Sequence, residues 1–159
     1  RALLHLIAST GLRAREVVNL RFSAQTTTPE GKVGFRYVRK GGAILITLPS
    51  KRAIKYVQEY HKKIGICSDL FFLSLPTNVR RARNRLTTRT LQRIVDTWKI
   101  NRADGKKASP HSFRHTVGQR MFIRAGSIAA QKVLGHTSPV TTSKFYTLPY
   151  YDGSHHLVW

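Results

Sequence analysis

Residues 33–48 read VGFRYVRKGGAILITL, and this stretch decides the fold class because the pattern on either side of it is helical. FRYV and AILITL carry the β-branched and aromatic residues of two short strands, with Lys40, Gly41 and Gly42 between them. The glycine pair supplies the positive φ that a tight reversal needs, so the segment is a predicted β-hairpin with a basic tip. Upstream, Leu3, Leu4, Ile7 and Ala8 recur near helical spacing until Thr10-Gly11 interrupts them. Glu16, Val17, Val18 and Leu20 then resume a second short helix, leaving Arg13 at the turn between the two. Downstream, Ser50 can cap a helix running to about Lys63, with Ala53, Ile54, Val57 and Tyr60 inward and Gly65 as its end. Thr88 or Thr90 starts another, with Leu91, Ile94, Val95 and Trp98 inward. After the polar loop NRADGKKASP, residues 101–110, HSFRHTVGQRMFIRAG reads as helix with Phe113, Val117, Met121 and Phe122 on its buried side. Gly126 stops it, SIAAQKVLG forms a shorter helix up to Gly135, and Pro139 breaks the chain again. The expected class is mixed α+β, mainly helical, with a small antiparallel sheet and one β-hairpin, in a single domain of 159 residues.

Charge names the class of partner. Twenty-eight Lys and Arg against seven Asp and Glu leave +21, which repels itself in a compact state and attracts a polyanion. Nucleic acid is the first partner to consider, against a ribosomal-type structural protein or an anionic-membrane binder; the resemblance named below narrows it to double-stranded DNA. Arg80, Arg81, Arg83, Arg85 and Arg89 fall in a stretch without any acidic residue, a patch whose mutual repulsion a phosphate backbone would relieve. The lone Cys67 excludes an internal disulfide, and no run of about 18 apolar residues is present to span a bilayer. The opening RALLHLIASTGL lacks the order of a signal peptide, so a cytoplasmic, nucleoid-associated location and a start inside a longer protein are expected.

The chemistry lies in an ordered set of short boxes. TGLRAREV at 10–17, PHSFRHT at 110–116 and LGHTSPVTTSKFYT at 134–147 follow one another in a way no single box makes diagnostic. In that order and spacing the chain resembles the tyrosine recombinase or phage integrase family over essentially its whole length. The resemblance implies that Arg13, Lys40, His111, Arg114, His136 and Tyr146 occupy the family's six active positions. It implies site-specific cleavage and rejoining of DNA through a 3′-phosphotyrosyl intermediate, for integration, excision or resolution, with neither metal nor ATP. It further implies that residues 1–159 form the catalytic domain without the family's small N-terminal helical domain, and that strand exchange takes place in a tetramer on DNA. The tail 148–159 is then a contact to a neighbouring subunit or to its own domain. A recombinase-like protein that binds without cutting, and a topoisomerase or telomere resolvase using the same chemistry, stay open as alternatives.

Physical chemistry explains why these side chains belong together. Displacement at a phosphodiester builds negative charge on the nonbridging oxygens, which two guanidinium forks, Arg13 and Arg114, can stabilise. A tyrosine hydroxyl has an ordinary pKa near 10, so attack by Tyr146 needs a proton acceptor, for which His111 is the choice. His136 donates to a nonbridging oxygen or steadies Tyr146, and Lys40 at the hairpin tip protonates the departing 5′ oxygen. Arg15 stands where the family has a small residue, and Arg39 precedes Lys40 where the family pattern is GKG; both are expected on DNA, and Arg39 or Lys32 are the substitutes for Lys40. Glu16 either braces an arginine of the site or makes a surface pair. His115 packs or hydrogen-bonds on its helix. His155-His156 could hold a metal weakly, but His111, His115 and His136 are interleaved with arginines that repel a divalent cation, so no metal is expected. Among rival tyrosines, Tyr37, Tyr56 and Tyr60 have structural explanations, while Tyr150 and Tyr151 lie within five residues of Tyr146.

Overall fold

The computed structural model describes residues 1–65, 67–74, 83–136 and 138. Helix α1 (Ala2–Thr10) is followed by α2 (Ala14–Asn19), a 3₁₀ turn (Phe22–Ala24), strands β1 (Gln25–Thr27), β2 (Val33–Val38) and β3 (Ile44–Thr47), and helices α3 (Lys51–Ile64), α4 (Thr88–Thr97) and α5 (Pro110–Leu134). The class is mixed α+β and mainly helical, as expected. The hairpin forms with Phe35 opposite Thr47 and Val38 opposite Ile44. Arg39 N–H donates to Ala43 O at 2.8 Å across its tip, and Gly41 and Gly42 take φ of 99° and 87°.

A third strand was not foreseen. β1 pairs antiparallel with β2, Gln25 opposite Phe35 and Thr27 opposite Val33. Gln-Thr-Thr has no apolar alternation to announce it. It is recruited by the reversal in which Thr28 N–H donates to Lys32 O at 2.9 Å.

The core lies where α1 meets α3 and α5, and under the inner face of the sheet. Leu6, Ile7, Val57 and Leu91 are fully buried, each stabilising by about 1.5–3 kcal/mol relative to exposure. Phe35 meets Phe71 edge to face, with centroids 4.9 Å apart. Helix starts follow side-chain caps. Ser50 Oγ accepts from Ala53 N–H, Thr87 Oγ1 from Thr90 N–H, and Ser109 Oγ from Ser112 N–H. Thr87 is therefore the cap, and α4 begins at Thr88, the earlier of the two expected starts.

Helix α5 departs most from its expected face. It breaks at Gly126, where φ is 79° and ψ 179°, as the sequence indicated, and helix continues on both sides. Phe113, Val117, Met121 and Phe122 are only half-buried, whereas Arg114, Gly118, Ala130 and Leu134 are buried. The reason is close approach to α1. A Cβ on Gly11 would lie 3.0 Å from Val117 Cγ1 and 3.2 Å from Leu134 Cδ2, so the missing side chain at the end of α1 lets Val117 and Leu134 close on it, and the face of α5 bearing Arg114 and Leu134 turns inward. Among the described residues no helix is long and apolar enough to cross a membrane.

Candidate active site

Arg114 is the centre of the arrangement. Arginines on helix faces are mostly exposed, yet this one is buried at 4% exposure. Its Nη1 donates to Gly11 O at 2.8 Å, and its Nη2 donates to Leu134 O. One guanidinium thereby ties the first arginine box to the residue preceding the Gly-His pair. Both carbonyls belong to helix ends, where backbone acceptors lack helical partners. Gly11 ends α1 at φ 63°, and Gly135 ends α5 at φ 59°. Each hydrogen bond to a charged group contributes roughly 1.5–3 kcal/mol, enough to fix the rotamer of Arg114.

Glu16 supplies the countercharge. It is buried at 3% exposure, accepts from Arg13 N–H at 2.7 Å and from Arg13 Nη1 at 3.1 Å, and lies 3.9 Å from Arg114 Nη1. The bracing role is thus realised, and the surface pairing is not. Its backbone contact also closes the first turn of α2, so a single carboxylate shapes the turn and orients two guanidiniums.

The histidines are held by helix geometry. Pro110 occupies the first position of α5, His111 the next, and His115 one turn on. His111 Nε2 and His115 Nε2 are 2.8 Å apart, so one donates to the other and both facing nitrogens cannot be protonated together. Burial, then the charges of Arg114 and Arg13, hold His111 below the usual histidine range. His136 follows a Schellman ending: Gly135 N–H donates to Lys132 O at 3.2 Å and His136 N–H to Gln131 O at 3.0 Å. Burial, reinforced by Arg114, Arg13 and Arg39, brings His136 down to about 4. A Cβ on Gly135 would sit 2.6 Å from Leu45 Cδ1 and 3.0 Å from Tyr37 Oη, so the chain passes tightly over the sheet here.

Arg13 stands between two depressions. A recess of about 360 Å³ is lined by Arg13, Arg15, His111 and Arg114; a cleft of about 900 Å³ is lined by Arg13, Arg15, Arg39, Lys40 and Arg85 with their neighbours. Lys40 is exposed at the hairpin tip on that cleft. Arg85 donates to Asn19 Oδ1 at 2.6 Å. Arg83 turns instead to Ile64 O at 3.0 Å, and Arg89 is exposed on α4 and lines neither depression, although Thr88 and Gln92 beside it line the recess. Arg80, Arg81, Tyr146, Tyr150, Tyr151, the His155-His156 pair and the tail 148–159 lie outside the described residues. Arg21 and Arg36 line the cleft and were missed; Arg21 pairs with Asp69 at 3.1 Å. Arg36 sits one residue before the strand's Tyr37, and the alternation of the hairpin was the signal that could have placed it. Tyr37 itself is walled in; burial, then the Glu16 carboxylate, push its phenol up, against the opposing pull of Arg114, Arg13 and Arg39. Among the described residues no three His, Cys, Asp or Glu side chains group as a metal site.

A model of the phage integrase family matches residues 1–152. Tyrosine recombinase XerC of Pelobacter propionicus is 32% identical over 146 residues, covering 91% of this chain and 46% of that protein. The crystal structure of XerA recombinase matches with a TM-score of 0.73 at 24% identity, over 99% of this chain and 58% of that one. The XerH site-specific recombinase bound to difH substrate matches with a TM-score of 0.69 at 22% identity, over 98% and 44%. At these identities the two structures establish a shared fold. The chain spans about half the length of the curated relatives it matches.

Proposed function

The chain belongs to the phage integrase family, and from that premise we propose that it is the catalytic domain of a DNA strand-transferring enzyme that works through Tyr146. The observation that carries this reading is the joining of three sequence boxes through one buried guanidinium, Arg114, beside Arg13, His111 and His136. A phosphodiester bound at Arg13, which lines both depressions, would meet the forks of Arg13 and Arg114 and the imidazole of His111. Such a set stabilises charge that develops only as the phosphorus becomes five-coordinate.

In the proposed step Tyr146 Oη bonds to phosphorus as the bond to the 5′ oxygen breaks. The phenol proton passes to His111, and Lys40 delivers a proton to the departing oxygen. Arg13 and Arg114 hold the nonbridging oxygens, and neutral His136 donates to one of them. The products are a 3′-phosphotyrosyl enzyme and a 5′-hydroxyl, and attack by another 5′-hydroxyl reverses the step without ATP or a metal. Histidines held below their usual range suit this chemistry, because His111 must start as an acceptor.

The intact protein is proposed to carry a further DNA-clamping domain ahead of residue 1, to recombine DNA as a tetramer and to reside with the nucleoid. Lambda integrase dimers bound to a core site and the Tn1549 transposon integrase with circular intermediate DNA share the fold. The deciding assay incubates the longest available protein with a nicked suicide duplex of its native site in EDTA without ATP. A denaturation-resistant adduct that disappears in Tyr146→Phe is expected. An adduct that persists would move the nucleophile, Tyr150 first; site-specific binding without any adduct would favour a protein that binds and does not cut.

A further inference from the structure

Arg39 replaces the small residue of the GKG hairpin pattern, and its position is unlike that of a surface arginine. It is half-buried, and its Nε is buried without a hydrogen-bond partner among the described residues. A guanidinium N–H withdrawn from water and left unpaired is unfavourable, so such an orphan points to a missing acceptor. The stem runs along the Gly135 turn, with Arg39 Cδ 3.8 Å from where a Cβ on Gly135 would lie. From there its charge acts on His136 and on Tyr37 together with that of Arg13 and Arg114. It also lines the cleft next to Lys40. Among the described residues no carboxylate is paired with it, whereas Glu16 is taken up by Arg13 and Arg114.

We propose that Arg39 is a third guanidinium of the scissile-phosphate site, closing on a nonbridging oxygen from the hairpin side, opposite Arg114. This rests on the strand-transfer reading above and deepens it. The hairpin would then bring two cations with separate tasks: Lys40 to the leaving oxygen and Arg39 to the phosphate. Acceptance by a phosphate oxygen satisfies the buried donor, and the anion relieves the crowding of Arg13, Arg39 and Arg114 around His136.

The test compares wild type, Arg39→Gln and Arg39→Lys on two nicked suicide duplexes, one with an ordinary scissile phosphate and one with a neutral methylphosphonate there. Thermal unfolding of each variant verifies folding. On the phosphate duplex Arg39→Gln is expected to cleave about a hundredfold more slowly, the scale for loss of one preorganised donor, with Arg39→Lys between it and wild type. On the methylphosphonate, which carries a methyl group in place of one anionic nonbridging oxygen and so needs one cation fewer, wild type and Arg39→Gln are expected to react at matching rates. An equal defect on both duplexes would overturn the assignment in favour of hairpin structure or contact to a neighbouring phosphate. Absence of a defect would overturn it as well. If wild type forms an adduct, only Arg39 is at stake; if it forms none with a verified site, the strand-transfer reading fails first and this inference falls with it.

Discussion

Replacing Glu16 by glutamine should destabilise the unbound protein while making DNA a stronger stabiliser of it. Glu16 is buried, and its two oxygens serve Arg13 N–H, Arg13 Nη1 and the nearby Arg114. Glutamine keeps one acceptor and turns an NH₂ group toward cations. Removing one partner of a buried ion pair costs about 3–5 kcal/mol; the retained acceptor and the partly exposed Arg13 reduce this to about 2–3 kcal/mol. A chain of 159 residues unfolds with an entropy of about 0.33 kcal/mol/K, so Tm should fall by about 6–9 °C. Circular dichroism melts at neutral pH and low salt measure this directly. A short duplex added to both proteins should raise the Tm of the variant more, because a phosphate supplies the countercharge that Glu16 has lost. A variant melting within about 1 °C of wild type, well inside the shift expected for this size, would refute the countercharge argument. So would equal stabilisation by DNA.

Gly135→Ala meets Leu45 Cδ1 at 2.6 Å at a positive φ and should cost about 2–4 kcal/mol in urea titration, combining left-handed strain and overpacking. Gly41→Ala, with open space around it, should cost only the strain of about 1–2 kcal/mol. His136 binds its proton less readily folded, at about 4, than at its ordinary 6.5, so stability should be complete above 6.5 and decline as pH falls toward 4. His136→Gln should make that decline shallower, and an unchanged pH slope would count against the burial of His136. Under the proposed mechanism Lys40→Ala should slow cleavage by about 10²–10⁴, the range for general acid catalysis, and a 5′-bridging sulfur, which departs without a proton, should restore it. Failure of the sulfur to rescue would remove Lys40 from that role.

The local sequence determined most helices and the hairpin, because those depend on neighbours in the chain. Ser50 and Ser109 cap, Gly11, Gly65 and Gly135 end helices, and Gly126 breaks one, each through its own backbone preferences. The order of the boxes likewise indicated the family and the candidate residues. What required the tertiary structure was every property set by distant segments. β1 exists only because β2 offers it an edge, and its Gln-Thr-Thr has no pattern of its own. Arg114 looked like a surface residue in sequence, since nothing local reveals that Gly11, 103 positions away, presents a carbonyl to it. The depressed His136 and the orphaned Nε of Arg39 arise in the same way, from the packing of the hairpin against the end of α5. Charge and periodicity are written along the chain, whereas desolvation and countercharge depend on which segments fold together.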